Sequence, residues 1–387
     1  MNIKTMRSAK AFLDGREMER CRSVSGECIL EEINRIRPDQ IETCSARAFQ
    51  QYRLLRKHQS FLYKRIYDFA SICLLVARKR SGHRETRHCS MPIPNKGKAV
   101  YLGSSSNAGI IPNSLQRRYL IVEEQFLEKR LYHPYMLEFW EEETRRFRWS
   151  PFFRVQTLTY LANVAYAIWK HSPEAVITTS ESSFTTSLIT AFCRSLGVRH
   201  ICVMHGEKLL QPGTAFFEVD TFYVWDNHYA QLFRDCGAKV GEYIVENPWK
   251  ANRVGAKGNR ATYYLQVPPR NMRRFANEMR RLESYGWTVK LRPHPSDLDR
   301  RQYLKYFTSE YLEDAGKVNI LDSIDSADMV ISQYSTVLFQ AWSRGVTACI
   351  DDVTNHSLFE SIEDKRYIML ERDHVRLSAI LGGKRCE

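Results

Sequence analysis

The sequence predicts an α/β protein with two doubly wound halves behind a basic helical extension. Three observations carry this. Short β-branched or aromatic runs alternate with helical stretches through most of the chain, the alternation breaks once near residues 248–260, and the first quarter has helical period and excess positive charge. The 387 residues are 43% apolar and 12% aromatic, enough for two domains with separate cores and too apolar for a disordered chain.

Residues 27–80 contain no glycine and one proline, Pro38. Ile29, Leu30, Ile33 and Ile36, then Tyr52, Leu55, Leu62, Ile66, Phe69 and Ile72, recur mostly at three- and four-residue intervals, which predicts helices broken at Pro38. Arg78 to Lys98, polar and basic with Pro92, Pro94 and Gly97, reads as a linker. Candidate strands of the first half are Ala99–Leu102, Ala175–Thr179, His200–Met204, Thr221–Trp225 and Glu242–Val245. Asn247-Pro248 and the glycine-bearing stretch to Asn259 interrupt the pattern. A second series follows: Thr262–Val267, Thr288–Arg292, Val318–Leu321, Met329–Ser332, Thr347–Ile350 and Arg366–Leu370. The expected organisation is therefore an extension over 1–97 and Rossmann-like domains over 98–250 and 251–387. No internal repeat or low-complexity segment is evident.

Charge is unevenly spread. Residues 1–100 carry 21 Lys/Arg against 10 Asp/Glu, and residues 101–387 carry 36 against 34, so +11 of the net +13 lies in the first quarter. Such a segment attracts phosphate-rich partners, either anionic lipid or nucleic acid. The ten cysteines form no C-x-x-C pair and no zinc-finger spacing, and Cys202 sits in an apolar run, as expected in a reducing cytoplasm. The first 30 residues are interrupted by Arg16, Glu17, Glu19, Arg20 and Arg22, unlike a signal peptide. The longest apolar run, Phe69 to Ala77, is about half of a membrane span.

Candidate chemistry sits at strand ends. Ser335 and Thr336 follow the strand Met329–Ser332 and precede the helical run from Val337, at a strand-to-helix turn. In an open α/β sheet that turn lies at the carboxyl edge, where helix N-termini and hydroxyls suit phosphate; the plainer role for Ser335 is an N-cap. Thr288 to Arg292 runs into Pro293-His294-Pro295, where the prolines fix the backbone around one imidazole. Arg292 is either a further phosphate ligand or a structural ion-pair partner. His200 to Met204 ends in His205-Gly206, and a neutral imidazole there suits general-base work on a hydroxyl, with Glu207 and Glu181 as competing bases. Asp351-Asp352 follows a strand, but adjacent strand residues face opposite ways and no third ligand accompanies them, so no metal site is expected.

The segments Met204-His-Gly-Glu-Lys208, Tyr223-Val-Trp-Asp-Asn-His-Tyr229, Leu291-Arg-Pro-His-Pro295 and Ala327-Asp-Met-Val-Ile-Ser-Gln-Tyr-Ser-Thr336, with Phe339 after, together resemble the GT-B transferases of bacterial surface polysaccharides. That group includes CDP-glycerol and CDP-ribitol phosphotransferases and the sialyl- and Kdo transferases that use CMP-sugars. The resemblance covers roughly residues 175–352. It implies two Rossmann-like domains facing a cleft, a donor phosphate held by His294, Ser335 and Thr336, with Ser332 and Arg292 beside them, and a catalytic role for His205. Further implied are metal-independent direct displacement with inversion, no cofactor beyond a CMP- or CDP-linked donor substrate, and a capsule, O-antigen or lipooligosaccharide acceptor.

The expected function is transfer of a sugar from a nucleotide-activated donor to a hydroxyl of a surface glycan, or a lipid-linked form of it. The alternative within the group is polyol-phosphate transfer. An enzyme of this kind would work in the cytoplasm, with the basic first quarter resting on the anionic inner leaflet. A rival from another class is a nucleic-acid-binding or adaptor protein using the same basic segment, against which the chain has no zinc-finger or RNA-recognition signature. A nucleotide-sugar epimerase is a third reading, distinguished by reaction without acceptor.

Overall fold

The computed structural model describes residues 24–80, 90–103, 109–251, 258–266, 269, 271–295, 297 and 300–382. The reading of residues 1–23 as lacking a signal peptide, the middle of the expected linker (81–89), most of the glycine-bearing stretch after Lys250, and Val267 at the end of an expected strand all lie outside the described residues. The chain divides into two compact units, Met1–His205 with Leu210–Pro248, and Gly206–Leu209 with Trp249–Glu387.

The first unit opens with α1 (Gly26–Ile36), α2 (Cys44–Lys57) and α3 (Phe61–Arg80). Ser25 and Thr43 cap the first two, their hydroxyls accepting from Cys28 N and Ala46 N, and the expected break falls at Pro38, which starts a single 3-10 turn. Then come β1 (Asn95–Gly103), α4 (Asn113–Arg118), β2 (Leu120–Gln125), α5 (Pro134–Thr144), α6 (Pro151–His171), β3 (Pro173–Thr178), α7 (Thr186–Ser195), β4 (Arg199–Val203), β5 (Glu218–Val224), α8 (Asn227–Asp235) and β6 (Lys239–Val245). All six strands are parallel, in the order β2-β1-β3-β4-β5-β6.

The second unit comprises β7 (Arg260–Leu265), α9 (Met272–Ser284), β8 (Thr288–Pro293), α10 (Arg301–Leu304), α11 (Ile320–Asp325), β9 (Met329–Ser332), α12 (Thr336–Ser343), β10 (Thr347–Ile350), α13 (His356–Glu363), β11 (Val375–Arg376) and α14 (Leu377–Ile380). Its five parallel strands run β11-β10-β9-β7-β8. Both sheets are covered by helices, which is why central strands such as Ala175-Val-Ile and Met329-Val-Ile read as continuous apolar runs. The expected α/β class with two Rossmann-like units is what the strand pairing shows.

Three local expectations are corrected. Val318–Leu321 is not a strand: the Asn319 side chain accepts from Leu321 N and starts α11. Arg366–Leu370 is not a strand either, since Ile368–Glu371 forms a 3-10 turn and the edge strand is the two-residue β11. An unexpected strand, β2, pairs in register with β1 from Lys98↔Leu120 to Gly103↔Gln125. β1 itself begins at Asn95, inside the segment read as linker.

α1 and α2 are anchored into the first unit by a buried arginine. Arg47 donates to the carbonyls of Ile41, Phe216, Gly237 and Pro38 at 2.9–3.3 Å and lies 3.6 Å from Glu218. Gly237 has φ +71°, and a Cβ there would fall 2.5 Å from the Pro38 ring, so only glycine allows this approach. Ile29, Ile33 and Leu54 join Phe216 and Leu232 in one apolar cluster.

Candidate active site

Both sheets carry the strand order 2-1-3-4-5 when counted from their own first strand, the first sheet with one strand more. In this topology the order reverses between the first and third strands, and the loops after those strands leave a crevice at the carboxyl edge where ligands bind. β3 and β9 are the third strands. Glu181 follows β3 and Ser335 follows β9, so each unit has a candidate residue at its own switch point.

In the first unit the Glu181 carboxylate has no solvent exposure. It is held by three donors: His205 Nδ1 at 3.0 Å from Oε1, the His205 backbone N–H at 3.3 Å, and Cys202 Sγ at 3.8 Å from Oε2. A buried carboxylate needs such partners, and in return it fixes the imidazole. With Nδ1–H given to Glu181, Nε2 is the ring nitrogen placed to exchange a proton with a substrate. The His205 side chain is 39% exposed, so substrate can reach it. Sequence reasoning held Glu181 and His205 as competing bases; the geometry joins them as one acid–imidazole pair. Next to them His200 is fully buried, between Thr178 Oγ1 at 2.9 Å and Thr190 Oγ1 at 2.7 Å, and burial pushes its pKa down to about 4. It is a neutral core histidine.

In the second unit Ser335 is extended (φ −165°, ψ 148°) and its hydroxyl accepts from Val337 N at 3.3 Å, the N-cap geometry of α12. The helix dipole makes the start of α12 an anion-favouring end. Thr336 is differently engaged: its Oγ1 accepts from Glu207 N at 2.8 Å. Tyr334 donates to the Glu207 carbonyl at 3.3 Å. The Gly206–Leu209 segment is thus fastened to the start of α12, and Gly206 with φ +65° supplies the turn into it. Glu207 Oε1 accepts from Lys208 N at 3.2 Å, and its charge, after burial, pushes the Tyr367 hydroxyl up. The Tyr367 hydroxyl lies 3.3 Å from Ser335 O and 3.5 Å from Ser335 N, bracing the cap.

His294 follows β8, and register places Pro293 opposite Leu265 of β7, while Tyr263 of β7 lies opposite Ile331 of β9. His294 and the Ser335 turn therefore leave the same sheet edge two strands apart, roughly 10 Å. His294 is exposed.

Two expected phosphate ligands belong to the core instead. Ser332 is 1% exposed and donates to the Tyr264 carbonyl at 2.9 Å, tying β9 to β7. Arg292 is 6% exposed, 2.5 Å from Glu313, and donates to the Val318 carbonyl at 2.8 Å, which is the structural ion pair its strand position also allowed. Tyr334 and Tyr367 were not singled out from the sequence, where a tyrosine in an apolar run carries no sign of where its hydroxyl ends. Asp351 accepts from Tyr263 and Thr354, and Asp352 from Ser378, so both are structural acceptors. Among the described residues no group of three or more His, Cys, Asp or Glu side chains is arranged to hold a metal ion. Among the described residues, too, no helix is long and apolar enough to cross a membrane.

The strand order and these edges define a two-unit doubly wound α/β protein with a switch-point crevice in each unit. No family model matches the sequence, and no curated protein matches it. Solved structures similar to it include a glycotransferase of kitacinnamycin, 10% identical, TM-score 0.40, over 75% of this chain and 91% of that one. A UDP-N-acetylglucosamine 2-epimerase from Listeria monocytogenes described as putative is 12% identical, TM-score 0.42, over 69% and 82%. The glycosyltransferase SnogD from Streptomyces nogalater is 11% identical, TM-score 0.37, over 74% and 88%. At these identities and scores the likeness carries nothing about substrate, and the architecture rests on the strand pairing described above.

Proposed function

We propose that this protein is a GT-B-type glycosyltransferase that moves a sugar from a CMP- or CDP-linked donor to a hydroxyl of a bacterial surface glycan, by direct displacement with inversion. The observation that carries the reading is the Glu181–His205 pair at the carboxyl edge of the first sheet. Its complement is the Ser335-capped start of α12 at the equivalent edge of the second. The ordered motifs around residues 204–208, 223–229, 291–295 and 327–336 support the family assignment.

His205 Nε2 takes the proton of the acceptor hydroxyl as that oxygen attacks the anomeric carbon, and Glu181 stabilises the imidazolium that forms. The bond from the anomeric carbon to the donor phosphate oxygen breaks with its electron pair leaving on the nucleotide. The dipole at the start of α12, the Ser335 hydroxyl and His294 meet that growing negative charge. Thr336 acts indirectly, by holding the Gly206–Leu209 segment.

The test is turnover of a panel of CMP-, CDP-, UDP- and GDP-linked donors with and without hydroxyl acceptors, with the anomeric configuration of the product read by NMR. Acceptor-dependent release of one nucleotide with an inverted linkage supports the reading. Turnover of donor to an isomeric nucleotide sugar without acceptor would identify an epimerase instead.

A further inference from the structure

α3 is turned inside out. Its inward side is polar in large part: Ser71 is 3% exposed, Asp68 pairs with Arg56 at 2.7 Å, and the Lys64 carbonyl accepts from Arg56 at 3.1 Å. Tyr67 and Leu75 add the apolar contacts, Tyr67 packing edge-on to Phe152 of α6 with ring centroids 5.3 Å apart. Its outward side is apolar. Phe61, Leu62, Ile66, Phe69, Ile72 and Val76 are 42–70% exposed. Their three- and four-residue spacing puts them on one stripe along a 20-residue helix, interrupted only by Arg65. A soluble surface seldom exposes a contiguous apolar face of this length, and such faces mark a binding surface.

Charge identifies what covers it. Lys64 and Arg65 stand near one end of the stripe, and Arg78, Lys79 and Arg80 follow its other end. Residues 61–90 hold seven Lys/Arg against two Asp/Glu. A second copy seated on this face would bring like charges together in either helix orientation, whereas an anionic surface is attracted at both ends. Trp149, 83% exposed, lies three residues before Phe152, which touches α3; tryptophan is a residue favoured at the lipid–water boundary.

We propose that the outer face of α3 lies in the headgroup region of an anionic bilayer, with its apolar stripe inserted and the excess basic charge of residues 61–90 drawing it to lipid phosphates. This is in-plane association, since among the described residues no helix is long and apolar enough to span.

The experiment is co-sedimentation of the full chain with vesicles of phosphatidylcholine alone and of phosphatidylcholine mixed with phosphatidylglycerol, at low and high salt. Wild type is compared with Leu62→Ser/Phe69→Ser and with Arg65→Glu, and the mass of each protein without lipid is measured by sedimentation equilibrium. We expect salt-sensitive binding to the anionic vesicles, weakened about tenfold or more by the double substitution and less by Arg65→Glu, with melting temperatures unchanged because these side chains are exposed. Equal binding by wild type and the double variant, or binding indifferent to phosphatidylglycerol, overturns the proposal. So does a wild-type dimer that the double substitution dissolves, which would make a second copy the occupant. Nucleotide plays no part in this readout, so it stands or falls independently of the transferase reading.

Discussion

His205 gives Nδ1 to a carboxylate that has no contact with solvent, and this arrangement sets what substitution should do. Replacing His205 by Ala removes the proposed base but no part of the α12 edge. Turnover is expected to fall by about two to four orders of magnitude, with nucleotide affinity changed less than about threefold; steady-state kinetics beside nucleotide titration checks this. Glu181→Gln keeps the volume but not the charge, so it should lower kcat while KM for the donor stays near the wild-type value. A merely structural Glu181 would alter stability and leave kcat intact. At this scale His205, Glu181 and Ser335 were legible because each follows an apolar run at a turn. The inward engagement of Ser332 and Arg292 was not legible for a physical reason: a strand's last residues alternate between edge and core, and sequence does not say where the strand stops.

Helix and strand scale brings its own pH dependence. His200 in β4 is held neutral in a buried site flanked by Thr178 and Thr190, with its pKa down from 6.5 to about 4. The unfolded chain takes up a proton as pH falls through 6.5 and the folded chain does not, so stability is full above about pH 6.5 and declines toward pH 4. The slope from this one group is about 1.4 kcal/mol per pH unit, about 3 kcal/mol over the window. Chemical denaturation at several pH values should show that slope reduced by one proton's worth in His200→Asn. Arg47 of α2 makes a second case. Arg47→Ala leaves four carbonyls short of a donor and removes the cation beside Glu218, and should cost about 3 kcal/mol or more, seen as a lower denaturation midpoint with unchanged denaturant slope. Most elements were legible from period and punctuation. β2 is hard to read from sequence because Leu120-Ile-Val-Glu-Glu-Gln125 is short and half polar. Val318–Leu321 reads as a strand because Val318, Ile320 and Leu321 suit one, and only the Asn319 cap turns the segment into a helix start.

Over the whole molecule, the charge asymmetry and the division into two doubly wound units were evident from composition and rhythm alone. The outward apolar face of α3 was not, because helical period reveals a stripe but not the side of the helix that the protein covers. The central claim is that a nucleotide-linked donor is held where α12 begins. Its most direct test is a thermal-shift measurement of wild type and Ser335→Ala with CMP, CDP, UDP, GDP and TDP. Loss of the cap lowers the baseline melting temperature by the equivalent of about 1 kcal/mol, so each protein is read against its own ligand-free state. A cytidine nucleotide should raise the wild-type melting temperature by a few degrees at about a hundred times its Kd, with a clearly smaller rise in Ser335→Ala. No rise with any nucleotide, or a rise of the same size in both proteins, would contradict it.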